Sequence, residues 1–388
     1  MKSNWKTVKL QELGRVVGGA TPSTKNEAFY GGSIPWLTPK DLADYSERYI
    51  SKGERSITEE GLNSCSTELL PAGTVLFSSR APIGYVAIAS NPICTNQGFK
   101  SVVPDTGVVD PLFLYYLLVF NKEKIKSAGS GTTFKEVSGN VMKNIEVEIP
   151  TSVDYQRKIA QILGSIDNQI ESNARINKNL FEQVYSFYLK LVDQDTDEVM
   201  FLDDIAIINP KRQLKKGEVA PYIEMSSLNS SSPEPDYIDE KAYSGGMKFV
   251  NGDTLLARIT PCLENGKAAY IDRLENNQVG FGSTEYIVLT PKLPNISSEF
   301  LYCIVKDPVF LSFAKKRMTG TSGRQRVSGE AIASFEMPQI TSTQFLGFQD
   351  IARANFSLIR SNKEQNIILG QLRDFLLPKL LSGEIEIQ

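Results

Sequence analysis

Gly129-Ser-Gly-Thr-Thr-Phe-Lys-Glu-Val-Ser-Gly139 is answered later in the chain by Gly320-Thr-Ser-Gly-Arg-Gln-Arg-Val-Ser-Gly329, and this pair decides the fold. Aligned on Val-Ser-Gly, Val137 and Val327 stand 190 residues apart. Each stretch leads into a short apolar segment that ends in proline, Ile145 to Pro150 and Phe335 to Pro338, and then into a helix start. Upstream, Gly73-Thr-Val-Leu-Phe-Ser-Ser-Arg80 is matched by Gly252-Asp-Thr-Leu-Leu-Ala-Arg258, both Gly-led apolar strands that end in arginine. The order of elements repeats as well as the residues. The 388 residues therefore read as a tandem duplication, each copy a β-rich region followed by a long helix.

Thr151 and Asp154 mark one helix N-terminus, and Thr341 with Gln344 forms a capping box at the matching place. Over about 152–192, Ile159, Leu163, Ile166, Ile170, Leu180, Val184, Phe187 and Leu191 recur at spacings near four and three, with Asn173 and Asn177 mid-seam. The second helix, about 344–377, carries Ile351, Leu358, Leu369, Leu372 and Leu376, with Asn362 near its middle. Such narrow stripes are coiled-coil seams, and matched asparagines fix register. A helix of about 40 residues is ~60 Å long, too long to pack inside one small domain. The expected fold class is α+β: two similar β-rich domains separated by two long helices forming an antiparallel coiled coil, a pseudo-two-fold internal repeat. The expected boundaries are 1–151, 152–192, 193–340 and 341–388. The alternative is that each helix packs on its own globular domain.

Composition narrows the chemistry. An apolar fraction of 41% and a charged fraction of 22% are those of a soluble globular protein. No run reaches the ~20 apolar residues of a membrane span, and no signal peptide is legible, so the expected location is the cytoplasm, with no membrane partner. The chain has no histidine, which removes Ser-His-Asp triads and imidazole metal ligands. Cys65, Cys94, Cys262 and Cys303 are scattered and read as small apolar residues, with no zinc site expected. Net charge is −3; residues 1–151 carry 16 basic and 15 acidic side chains, and residues 193–340 carry 16 and 21. A nucleic-acid binder of this charge must gather its cations on one face or borrow them from a partner.

Catalytic signatures fail one by one. Asp307-Pro-Val-Phe310 lacks the second proline of an amino-methyltransferase tetrapeptide and reads as core. Gly280-Phe-Gly282 reads as a turn, and Asn265-Gly-Lys267 lacks the upstream glycine and following hydroxyl of a phosphate loop. Asp236 and Asp239-Glu-Lys241 mimic a nuclease constellation but lie within one short segment, read as a solvated turn. No active site is expected.

At this point the chain resembles a known family. Val17-Gly-Gly-Ala-Thr-Pro-Ser23, Ile34-Pro-Trp-Leu-Thr38 and Gly129-Ser-Gly-Thr-Thr133 are similar to the first recognition domain of type I restriction-modification specificity subunits. Gln156-Arg-Lys-Ile-Ala160 and Leu376-Leu-Pro-Lys-Leu-Leu-Ser-Gly-Glu-Ile385 resemble that family's two conserved helical regions. The resemblance implies two target-recognition domains, each reading half of a split double-stranded DNA site. It implies that the helices dock two methyltransferase (modification) subunits, which restriction subunits join. S-adenosylmethionine, ATP and Mg²⁺ would belong to those partners, with no cofactor in this chain. The second copy departs from the pattern: Thr321-Ser-Gly-Arg-Gln-Arg326 replaces the Gly-Ser-Gly-Thr-Thr form, and Ile208-Asn-Pro-Lys-Arg212 lacks the Gly-Gly-x-Thr-Pro opening.

Phosphates are held by cations and hydroxyls, and bases are read by forked or paired donors. The first-domain candidates are Thr21, Ser23, Lys25, Arg80, Asn96, Gln97, Thr132, Thr133 and Lys135. The second-domain candidates are Lys211, Arg212, Arg258, Thr321, Arg324, Gln325 and Arg326, with Arg324 and Arg326 expected to project to one side of an extended loop. Three other readings stand beside this one. The chain could be itself an enzyme, a coiled-coil adaptor binding only proteins, or the specificity subunit of a modification-only or type II-like system.

Overall fold

Two Gly-led strands organise two sheets that share four antiparallel strands in the same order. In the computed structural model, which describes residues 4–43, 45–80, 82–130, 135–228, 232–321 and 323–387, the chain forms two compact units. One comprises Met1–Glu171 with Asn366–Gln388, the other Ser172–Gln365. In the first, the main sheet runs Gly14–Gly18, Lys100–Pro104, Val75–Phe77, Val86–Ala89, Tyr49–Ile50. In the second it runs Ala206–Ile208, Tyr286–Pro291, Thr254–Ala257, Ala268–Tyr270. A second, mixed sheet accompanies each, three strands about Tyr30–Leu37 in the first unit and four including Val219–Ile223 in the second. Each unit also ties its opening strand to the strand before its long helix, Trp5–Lys9 to Glu146–Pro150 and Val199–Phe201 to Glu336–Pro338. The duplication legible in the residues is a duplication of fold.

Gly73 and Gly252 enter the central strands at φ +85° and +88°, a left-handed turn that a side chain would strain. The strands that follow are fully buried, Val75, Leu76 and Phe77 in one unit and Leu255, Leu256 and Ala257 in the other.

The long helices span Val153–Val192 and Ser342–Leu381, 40 residues each. Both give residues to both units. Within the first unit, Asn366 Nδ2 donates to the Ile170 carbonyl at 3.1 Å and Arg373 Nη1 to Asp167 at 3.0 Å. Within the second, Asn173 Nδ2 donates to Gln365 Oε1 at 2.7 Å, Asn362 Nδ2 to Asn177 Oδ1 at 2.7 Å, and Asn355 Nδ2 to the Leu180 carbonyl at 3.3 Å. Numbers rise on one helix as they fall on the other, so the pairing is antiparallel, with asparagines bridging the seam.

The stripe differs in part from the expected one. Ile159, Leu163, Ile166 and Val184 are buried and Ile170 and Leu180 half-buried, but Phe187 is exposed and Tyr188 packs inward in its place. On the second helix, Ile351, Leu369 and Leu376 are half-buried while Leu358 and Leu372 are exposed, at 46% and 44%. The buried phase there is Phe345, Phe348, Ala352, Phe356 and Ile359. Phe356-Ser-Leu-Ile359 offers two adjacent apolar phases. The aromatic one prevails because Phe356 meets Phe181, Tyr270 and Tyr302 edge-on, with centroids 5.0–6.2 Å apart.

The β-rich parts fasten to the helices by different chemistry. In the first unit, Arg48, 4% exposed, donates to Glu171 at 3.0 Å and to Asn168, and Tyr116 donates to Asp167 at 2.6 Å. In the second, rings of Tyr188, Phe300, Phe345, Phe348 and Phe356 share one core. Cys94 and Cys303 are buried, whereas Cys65 and Cys262 are only half-buried. Among the described residues, no helix is long and apolar enough to cross a membrane.

Candidate nucleic-acid interface

A short loop closes at the same place in both units. Ser130 and Glu136 exchange backbone hydrogen bonds of 3.1 and 2.9 Å, and Thr319 and Arg326 exchange two of 2.9 Å. The next residue docks each loop on its central strand: Val137 N–H donates to the Ser79 carbonyl, and Val327 N–H to that of Arg258. Ser79, not Arg80, is thus the counterpart of Arg258, and Arg80 bridges Glu136 as Ile259 bridges Arg326. Matching the two strands on their terminal arginines is one residue out of step. The equivalent points are the glycines that start them.

In the second unit the loop mouth is a charged cluster. Arg326 donates to Glu285 through Nε at 2.9 Å and Nη2 at 2.7 Å, and Arg258 Nε lies 3.7 Å from the same carboxylate. The Arg326 guanidinium holds the Glu285 carboxyl below the usual carboxylate range. Arg326 is therefore a positioned guanidinium, with Nη1 also donating to the Arg324 carbonyl at 3.1 Å. Arg324 and Thr321 are exposed, and the Gln325 backbone is pinned to Thr260 by two hydrogen bonds.

Lys211 and Arg212 do not join this cluster. Arg212 Nη2 is drawn to Asp253, 0% exposed, at 2.6 Å and to Thr290 at 3.0 Å. Thr290 lies in the strand Tyr286–Pro291, five residues past Glu285 at the turn before it, a run of about 16 Å. Arg212 thus gives its Nη2 to a buried carboxylate distant in sequence, which ties this end of the opening segment to the central strand. Lys211 beside it is exposed. The chain turns toward that end at Asn209, which sits at φ +54° and bonds Val288.

The first unit keeps its opening segment at the loop mouth. A Cβ at Gly19 would lie 2.1 Å from the Thr95 carbonyl, which explains the second glycine of the signature. Thr21 hydrogen-bonds Gln97, and Asn96 Oδ1 accepts from Gly98 N–H at 2.8 Å. Glu285 N–H bonds Ser283 in the same way at 3.0 Å, so Gly98 is the counterpart of Glu285. Lys100 Nζ stands 3.7 Å from Glu136 and donates to the Gln97 carbonyl at 3.4 Å. Thr21, Arg80, Asn96 and Gln97 thus come together, with Ser23, Lys25 and Lys135 exposed nearby in sequence. Thr132 and Thr133 lie outside the described residues.

Lys100, Glu136 and Glu285 were not legible as site residues. Each is a charge beside an apolar strand, and an acid is the residue a search for DNA contacts discards. Two discarded motifs also form differently: Asp239–Ala242 is an edge strand with Lys241 4.0 Å over the Tyr222 ring, and Gly280–Gly282 is a strand. Asp307 caps a helix and Phe310 is buried. Among the described residues, no group of three or more acidic or cysteine side chains is arranged to hold a metal.

Comparison with known proteins places the fold among characterised families. The model of the type I restriction modification DNA specificity domain matches residues 2–182. The chain is 31% identical to the type I restriction enzyme MjaIX specificity subunit of Methanocaldococcus jannaschii, over 99% of this chain and 94% of that protein. It is 30% identical to the EcoR124I/EcoR124II specificity subunit of Escherichia coli over 48% of this chain and 47% of that one. The crystal structure of the type I S subunit from M. genitalium shares the fold at a TM-score of 0.59 and 18% identity, covering 99% of this chain and 97% of its own.

Proposed function

The chain belongs to the family of type I restriction enzyme specificity subunits, and from that premise we propose that it reads a split double-stranded DNA target, one half through each unit. It is the recognition component of its complex and not the catalytic one. Residues 1–151 and 193–340 are the target-recognition domains, and 152–192 and 341–388 are the spacer helices with the tail. Two modification subunits dock on this chain and restriction subunits join them, bringing S-adenosylmethionine, ATP and Mg²⁺ chemistry with them.

The observation that carries the reading is the repeated loop mouth: the same backbone closure twice, lined each time by different polar side chains. A duplicated scaffold with unlike mouths suits a site whose two halves differ in sequence. Thr21, Ser23, Lys25, Arg80, Asn96, Gln97, Thr132, Thr133 and Lys135 serve the first half-site. Lys211, Arg212, Arg258, Thr321, Arg324, Gln325 and Arg326 serve the second, with Lys211 as a phosphate contact and Arg212 held beside it by Asp253. The net charge of −3 assigns much of the phosphate neutralisation to the partners.

The paired helices set the gap between the half-sites. Inserting one heptad at matched points of both adds about 10 Å, or about three base pairs at 3.4 Å each. Methylation mapping of the co-expressed complex should then return the same half-sites with a spacer longer by about three. Altered half-sites with an unaltered spacer would contradict the ruler.

A further inference from the structure

The arrangement at Glu285 says which base the second loop reads. A guanidinium offers two usable forks: a side-on pair at Nε and one terminal nitrogen, and an end-on pair at the two terminal nitrogens. In Arg326 the side-on pair is spent on Glu285, at 2.9 and 2.7 Å. One further terminal N–H goes to the Arg324 carbonyl, which fixes the plane of the group. Arg326 is also the loop's closing residue, paired in both backbone directions with Thr319, so its Cα is not free to drift. What remains is one N–H on each terminal nitrogen, the pair from which an end-on fork is made, on a side chain 39% exposed.

A fork of two parallel donors matches the O6 and N7 acceptors of guanine in the major groove, and no other base offers that pair. We propose that Arg326 reads a guanine in the second half-site and that Glu285 is the positioning residue that aims it. Arg258, 3.7 Å from the same carboxylate, balances its charge so that the cluster does not repel the DNA backbone. The first unit cannot read guanine this way, because Glu136 stands where Arg326 does and Gly98 where Glu285 does. The inference rests on the DNA-reading role proposed above and adds the base and the residue that orients its reader.

The test maps methylated sites for the full complex, co-expressed with its modification subunit, on a library randomised over both half-sites. Wild type, R326A, E285A and E285Q are compared. The wild-type motif contains a guanine in the second half-site. R326A and E285A each lower the preference for it about 10- to 100-fold at that position alone. E285Q, which keeps one acceptor on the arginine, falls between them and wild type. The first half-site, read in the same molecules, stays unchanged and reports that the variants fold and assemble; a purely structural role for Glu285 would weaken both halves together. If R326A relaxes the guanine while E285A and E285Q keep it, Glu285 does not position the reader. If the second half-site holds no guanine, or R326A relaxes nothing, the base assignment is overturned. A wild-type complex that gives no split motif fails at the earlier step, the DNA-reading role itself.

Discussion

Where the first unit closes its loop on Glu136, facing Lys100 at 3.7 Å, the second closes its loop on Arg326, held by Glu285 at 2.7 Å. The backbone bonds are the same and the charges are reversed. The difference separates what the fold needs from what it leaves free. It needs the left-handed glycine before the central strand, the buried strand and the docked valine after the loop. The side chains at the mouth pair with one another rather than with the core, so their sign can change without disturbing the sheet beneath. The same freedom appears where each β-rich part meets its helices: an arginine–carboxylate–tyrosine network in one unit, rings meeting mostly edge-on in the other.

That second contrast can be broken by experiment. Phe356→Ala should carry the largest cost, about 3–5 kcal/mol, because a fully packed ring leaves a cavity among aromatics that cannot collapse. Thermal melting of the chain or its complex measures it. Arg48→Ala should cost about 3 kcal/mol, since it leaves Glu171 half-buried without its cation. The two losses differ in kind. Adding Glu171→Gln should restore part of the Arg48→Ala loss, a non-additive pair, whereas Phe356→Ala combined with Glu171→Gln should simply add. Additivity in both pairs would mean that the polar network fastens nothing.

The smallest effect concerns a strained acid in the second unit. Burial, then the neighbouring Glu234 carboxylate, pushes the Asp272 carboxyl up to about 7, with Arg360 and Arg273 opposing and Glu364 adding to the rise. A carboxyl with a raised folded pKa binds its proton more tightly in the native state. Its contribution is present at low pH and is lost as pH rises from about 4 through about 7. Asp272→Asn should therefore raise Tm by a few degrees at pH 8 and give no gain at pH 4. An equal gain at both would assign the effect to packing.

Much of this was legible in the sequence, and the gaps have physical causes. The Val-Ser-Gly repeat, the Gly-led strands and the seam periodicity announce the duplication, because punctuation and apolar spacing are local. The phase of the second helix was not legible, since Phe356 and Leu358 both fit a stripe until Phe181, Tyr270 and Tyr302 select one. The tethering of Arg212 depends on Asp253, 41 residues on, and the aiming of Arg326 on Glu285, 41 residues back. Such pairings are set by strand register, which no local pattern encodes.

The most direct measurement is sequencing of methylated bases in DNA from cells carrying the modification subunit with and without this chain. The account predicts a split motif, two short defined parts around a fixed unread gap, present only when the chain is present. A motif that persists when the chain is deleted would contradict it and leave the paired helices to an adaptor that binds only protein.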